Sequence, residues 1–287
     1  MVSRRTFLTV LAALGVSCRG QKPGSDRPLT ILFGPNHAPA KAEALRAAWE
    51  KASGLKLSFL VAKSGSEAVE IVLANRADAG VLSLFDHLYC AEVHGTKPLL
   101  TLVRNGGRVT QGGELVVRKD SSVAGVKDLA QKRVAFVDAW STTGFLLAAA
   151  HLKREGVVTE PVWSGSHDGV LLAVKNGTAV AGATYAGHAA TEPDLKVLAS
   201  TGSVANEPFF VQSSLPDDAR AALKRALLAP AELDGVADAT GFREIEGNAY
   251  TDALATVKAA GKQAEDLVPG GWVRANEARR PLWSYDP

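Results

Sequence analysis

What the chain has little of narrows the field first. Cysteine is scarce: 287 residues hold two, Cys18 and Cys90. With Cys18 read as part of an export segment, Cys90 has no partner in the mature chain, and an intramolecular disulfide framework is excluded. The apolar run Phe7 to Val16 is too short to span a hydrocarbon layer of roughly 30 Å. Net charge is nearly absent, at +2. Removing residues 1–17 takes away Arg4 and Arg5 and leaves 30 basic and 30 acidic residues. No basic stripe survives, which excludes nucleic acid as the expected partner. The six histidines show no metal-ligand spacing, and there is no His-Glu-x-x-His helix, no Gly-x-Ser-x-Gly elbow and no Walker-type phosphate loop. No metal, cofactor or catalytic residue is therefore assigned. Internal repeats are missing as well. What remains is 46% hydrophobic and 22% charged, an ordinary globular composition.

The first eighteen residues are informative. Ser3-Arg4-Arg5-Thr6-Phe7-Leu8 matches the twin-arginine export pattern. A basic start, a short apolar core and small residues before a break describe a signal peptide rather than a membrane span. Cys18 closes the segment where a lipoprotein would be acylated, and residues 19–27 read as a polar tether. Gly15 stands three residues before Cys18, where leucine is usual, so an ordinary cleaved signal is the alternative. A twin-arginine substrate folds before export in a reducing compartment, which suits the missing disulfide. The expected location is the periplasmic or extracytoplasmic face, with a lipid anchor on Cys18.

Behind the tether, strand and helix patterns alternate in two cycles. Strands are expected at Leu29–Phe33, Lys56–Val61, Ala77–Leu82 and Leu99–Val103, with helices from Pro39, from Ser64 and over Phe85–His94 between them. A second cycle places strands near Glu114–Arg118, Arg133–Val137, Val162–Ser164, Val180–Ala183 and Leu195–Ser200. Its helices start near Ser121, Ser141 and Ser166. After Ala205 the pattern fails. Helices over Pro216–Leu228 and Tyr250–Ala264 follow with no third sheet, as a tail that returns to complete the first lobe. The alternation predicts an α/β fold with largely parallel sheets in two lobes.

Several strand-to-helix turns carry small polar residues: Asn36-His37, Ser64-Gly65-Ser66, Ser83, Ser141-Thr142-Thr143 and Ser166-His167-Asp168. In open α/β sheets the crevice beyond the carboxyl ends of the strands is the ligand site. A helix start there offers free N–H groups and the positive end of a dipole. Hydroxyls added to it suit a tetrahedral oxyanion without formal positive charge. Serine and threonine are also the preferred N-caps of any helix. Ser83 is read as such a cap. Three consecutive hydroxyls at Ser141-Thr142-Thr143 exceed what a cap needs, and Gly144 would let a ligand approach the backbone.

Ser141-Thr142-Thr143-Gly144 after Val134-Ala135-Phe136-Val137 resembles the Ser-Thr-Ser-Gly signature of the phosphonate/phosphite/phosphate-binding proteins of ABC importers. Ser166-His167-Asp168 resembles that family's Ser-His-Asp/Glu segment. Leu73 to Gly80, Val116 to Ser121 and Asn206-Glu207-Pro208 match other family segments in the same order, over roughly residues 28–230. The resemblance implies a two-lobed type II periplasmic-binding fold, with mixed, mainly parallel sheets and a cleft between lobes that close like a hinged trap. The lobes would be 28–110 with 204–287, and 111–203. It implies that Ser141, Thr142 and Thr143 hold the oxygens of the anion. Asp168 would face the ligand and accept from a protonated oxygen or an amine. His167 and His37 are placed at the cleft, with Asn36, Ser64, Ser66 and Tyr185 as further candidates. The expected partners are a small oxyanion (phosphonate, phosphite or phosphate) and an ABC permease, and the chain is expected as a monomer. Departures stand at Ser64-Gly65-Ser66, Gln111 and Thr184-Tyr185-Ala186, where the family tends to carry aromatics or acids. Trp140 and Tyr185 are candidates to replace the lost aromatics. A sulfonate, nitrate or thiamine-precursor binder, a sensing module, and an enzyme on the same fold are the alternatives.

Overall fold

The computed structural model describes residues 27–261 apart from Asn36, Trp140 and Ala237, and without the side chains of Ser66 and Asn105. The export segment, Cys18, most of the tether and the C-terminal Trp272, Trp283 and Tyr285 lie outside the described residues. The elements run β1 (Leu29–Phe33), α1 (Ala42–Ser53), β2 (Leu57–Val61), α2 (Gly65–Leu73), β3 (Ala79–Val81), α3 (Leu84–His94) and β4 (Lys97–Arg104). The chain then crosses into β5 (Thr110–Arg118), β6 (Arg133–Phe136), α4 (Leu147–Arg154), β7 (Glu160–Trp163), α5 (His167–Lys175), β8 (Ala181–Tyr185) and β9 (Leu195–Ala205). It crosses back into β10 (Pro208–Val211), α6 (Asp217–Leu228), β11 (Ala239–Arg243) and α7 (Ala249–Ala259).

Two sheets result. One has six strands in the order β11-β4-β10-β3-β1-β2, and the other has five in the order β7-β6-β8-β5-β9. The parallel pairing expected from the alternating pattern holds for β1 with β2 and β3, and for β6 with β7 and β8. The other half of each sheet is antiparallel. In the larger sheet that half comes from two strands the sequence pattern missed. Pro208-Phe209-Phe210-Val211 is fully buried, so it has no alternation to betray it. Its ring of proline opens the strand, where a missing N–H is tolerated. The second, Ala239–Arg243, carries a glycine and a register irregularity against β4. The helix expected from Ser121 is only a short 3-10 turn, Val126–Leu129.

Two cores cover the faces of the larger sheet. On one, α1 and α6 enclose Trp49 among Phe33, Phe59, Phe209 and Phe242, with ring centroids 5.6–6.3 Å from the tryptophan. On the other, α2 and α3 bury Leu32, Val69, Val72, Leu88 and Cys90. That cluster does not stop at the sheet. It continues through Tyr250, Ala253 and Val257 of α7 to Leu115, Phe145 and Leu147 around the five-stranded sheet. Helix α7 packs on α4 and β9.

Close approach fixes one residue of the larger sheet. A Cβ on Gly80 would lie 2.0 Å from the Leu32 carbonyl oxygen, so any side chain there would part β3 from β1. Asp78, two residues earlier, is structural. Its carboxylate takes two hydrogen bonds from Arg27 (2.8 and 2.6 Å) and one from the Thr30 N–H (2.8 Å).

The crossings are fastened by Asn206. Its buried side-chain amide donates to the carbonyls of Leu102 (3.0 Å) and Arg108 (2.9 Å), and its own N–H donates to Val109 O (2.9 Å). Beside it Arg104 pairs with Glu207 at 2.7 Å, and the Tyr250 hydroxyl donates to Asn206 O at 3.0 Å.

Candidate functional site

Parallel pairing brings the carboxyl ends of β6, β7 and β8 side by side, since Phe136 lies opposite Trp163 and Ala135 opposite Gly182. Three loops therefore converge: 137–144, 164–168 and the segment leading on from Thr184 to His188. They hold two aspartates and two histidines and no lysine or arginine. At the equivalent ends of β1, β2 and β3 lie the turn 34–41, Ser64 and Ser83.

The loop after β6 opens its helix unusually. Thr142–Leu146 forms a π turn before α4, with Leu146 N–H donating to Ser141 O at 3.0 Å. Ser141 Oγ accepts from Gly144 N–H (3.1 Å), so it serves as the N-cap. The N–H of Ser141 donates to the Asp138 carboxylate (2.8 Å). Thr142 is half-buried and its hydroxyl bonds to no other described residue, whereas Thr143 is buried. Gly144 has a packing cause. A Cβ there would stand 2.4 Å from Val137 Cγ2 and 2.7 Å from Ser141 Oγ.

The next two loops share a hydrogen-bonded chain. Ser166 caps α5 by accepting from Gly169 N–H (3.0 Å), which sets His167 and Asp168 in the first turn. His167 Nδ1 lies 3.0 Å from Thr184 Oγ1, and that hydroxyl lies 2.8 Å from His188 Nδ1. His188 Nε2 lies 3.1 Å from Asp168 Oδ1. The Tyr185 ring stacks on His188 (4.4 Å, 18°) and meets His167 edge-on at 5.0 Å. Burial holds the His167 pKa below the usual imidazole value, helped by neighbouring His188, while Asp138 and Asp168 pull the other way. Glu114, on β5, accepts from the N–H groups of Gly187 (3.1 Å) and Ala189 (3.0 Å) and so holds the turn that carries His188.

On the first sheet, Ser64 caps α2 by accepting from Glu67 N–H (3.1 Å) and Ser83 caps α3 by accepting from Asp86 N–H (3.2 Å). His37 is buried, with a lowered pKa caused by that burial, next to the Arg104–Glu207 pair. Asn36 and the Ser66 side chain lie outside the described residues. The structure thus brings His167, Asp168 and Tyr185 together beside the Ser141–Thr143 turn, and places Ser64 and His37 on the other sheet. Three groups here were not singled out from sequence. Asp138 and His188 carried no motif of their own. Asp86 carried one, the Ser83-x-x-Asp86 spacing of a capping box. A Cβ on Gly65 would sit 3.0 Å from Asp86 Oδ2, so this carboxyl covers the start of α2. Burial raises its pKa from 3.8 to about 6.

A family model for the periplasmic phosphonate substrate-binding proteins of ABC transporters matches residues 33–250. The chain belongs to that family. The phosphate-import protein PhnD of Mycolicibacterium smegmatis (strain ATCC 700084 / mc(2)155) is 31% identical over 207 residues, covering 63% of this chain. The chain matches 64% of that relative's length. Among solved structures, XAC2383 from Xanthomonas citri bound to ATP shares 18% identity at a TM-score of 0.68, covering 83% of this chain and 99% of that one. PhnD1 from Prochlorococcus marinus (MIT 9301) in complex with methylphosphonate shares 14% identity at a TM-score of 0.62, covering 83% and 100%. The fold is accordingly that of the type II periplasmic binding proteins, two α/β lobes with a cleft between them. The family is a transport-associated binding family, not an enzyme family.

Proposed function

We propose that this protein is the extracytoplasmic solute-binding protein of an ABC importer and captures a small phosphorus oxyanion between its lobes. The candidates are phosphonate, phosphite and phosphate. The observation that carries this reading is the start of the helix after β6. The unengaged Thr142 hydroxyl sits there with Ser141, at the carboxyl edge of three parallel strands, within the same loop cluster as His167 and Tyr185. Phosphate, which the Mycolicibacterium smegmatis relative imports, and methylphosphonate, bound by the Prochlorococcus marinus protein, belong to the same chemical class. In this reading residues 28–110 with β10, α6 and β11 of the returning chain make one lobe and 111–203 the other, with α7 packed across on α4 and β9. Closure brings Ser64 and the α2 start toward Ser141–Thr143 and Asp168. The protein acts as a monomer and delivers its ligand to a membrane permease. Twin-arginine export and a lipid on Cys18 keep it at the membrane surface.

A thermal-shift screen tests the ligand class. Phosphate, phosphite, methylphosphonate and aminoethylphosphonate are compared with sulfate, taurine and nitrate. A ligand at about a hundred times its Kd adds about 2.7 kcal/mol to stability, a readily measured shift. Thr142→Ala should weaken the active ligand by about 1–3 kcal/mol. Stabilisation by none of the phosphorus compounds overturns the reading. For the anchor, Cys18→Ala should move the protein from the membrane fraction to the soluble one. Continued membrane association would remove the lipid from the account.

A further inference from the structure

The chain His167–Thr184–His188–Asp168 has a direction, and the direction can be worked out from its end. A carboxylate only accepts, so the 3.1 Å contact with Asp168 Oδ1 puts a proton on His188 Nε2. With the His188 ring uncharged, that is its one proton, and Nδ1 is then an acceptor. The Thr184 hydroxyl, 2.8 Å away, has one proton to give and gives it to that nitrogen. Its oxygen is left to accept, and the 3.0 Å contact makes His167 Nδ1 the donor. His167 therefore keeps its proton on Nδ1 and presents an unprotonated Nε2, which bonds to no described residue.

We propose that this relay makes His167 Nε2 a hydrogen-bond acceptor in the ligand site, so that the protein selects oxyanions that still carry an O–H proton. The inference rests on the oxyanion reading above and deepens it. Thr184 and His188 act as positioning residues. A hydrogen phosphonate offers its P–OH to Nε2, whereas a sulfonate of the same shape has no such proton and sets its oxygens against a lone pair. The surroundings agree. Asp138 from the β6 loop and Asp168 from the start of α5 both act on His167, with Tyr185 and His188 completing the cluster, so a doubly charged anion at Nε2 meets two carboxylates, while buried Glu114 is taken up by the Gly187 and Ala189 N–H groups. Burial and the neighbouring His188 favour the uncharged His167 ring. Affinity for a phosphonate should accordingly fall as pH rises through the ligand's second ionisation.

Nitrogen-15 NMR of histidine-labelled, ligand-free protein near neutral pH reads the ring directly, with His167 assigned from its loss in His167→Gln. Calorimetry then compares methylphosphonate with methanesulfonate in the wild type, Thr184→Ser and Thr184→Val. The expected result is an unprotonated His167 Nε2 and a preference for methylphosphonate of about tenfold or more. Thr184→Ser should keep both, and Thr184→Val should lose both. A wild-type His167 with its proton on Nε2 overturns the relay, whether or not Thr184→Val folds. An unchanged preference in a folded Thr184→Val overturns the selectivity. Failure of the wild type to bind methylphosphonate overturns the selectivity, while the ring assignment reports separately on the relay and the thermal-shift screen separately on the oxyanion reading.

Discussion

At the scale of single residues, Asp86 is the clearest case of a group held against its own preference. Its carboxyl lies between the starts of α2 and α3, with burial opposing ionisation more strongly than the Ser83 hydrogen bond supports it. A folded-state pKa near 6, above the ordinary 3.8, means the folded protein binds this proton more tightly than the unfolded chain does. The stabilisation is complete below 3.8 and is lost as pH rises through about 6. Above that, the ionised group costs on the order of 2 kcal/mol, allowing for its remaining solvent contact. Asp86→Asn keeps the shape and removes the titration. The variant should be more stable than the wild type above neutrality and should lose the advantage in acid. Urea denaturation across the range checks this, and a constant difference between the two proteins at every pH would refute it.

At the scale of elements, the crossing between lobes turns on Asn206. One amide group serves the carbonyls of Leu102 and Arg108, which belong to the two sides of the β4–β5 crossing. Asn206→Ala leaves the buried Leu102 carbonyl and the part-buried Arg108 carbonyl without that donor and should cost about 1–3 kcal/mol in a denaturant melt. A change within error would show that solvent or a rearranged neighbour satisfies them. The same scale shows what the sequence reveals. The helices from Ser64, Ser141 and Ser166 start where their serines predict, because an N-cap is a local device. Strands β1, β2 and β6 declare themselves by β-branched and apolar runs. Strands β10 and β11 do not, because their pairing with β3 and β4 is set by residues far away in the chain. The site divides the same way. Ser141, Thr142, Thr143, His167 and Asp168 stand in short local motifs and are legible. His188 and Thr184 matter through a chain of hydrogen bonds that only the register of β8 against β6 and β5 assembles.

At the scale of the molecule, two sheets do not amount to two independently stable bodies. Each lobe of a hinged binding protein needs its own core if the lobes are to unfold separately. Here the cluster that covers one face of the six-stranded sheet runs on through α7 to the core around α4 and β9. Helix α7 anchors its Tyr250 ring against His87 of α3 at 5.5 Å and donates from its hydroxyl to Asn206 at the crossing. Loss of packing in one lobe therefore strips apolar cover from the other, which couples their unfolding. The ligand-free protein should melt in a single calorimetric transition, with van't Hoff and calorimetric enthalpies in agreement. A bound oxyanion should move that whole transition upward. Two resolved transitions, with only the later-melting lobe responding to ligand, would show instead that α7 joins the lobes without coupling them.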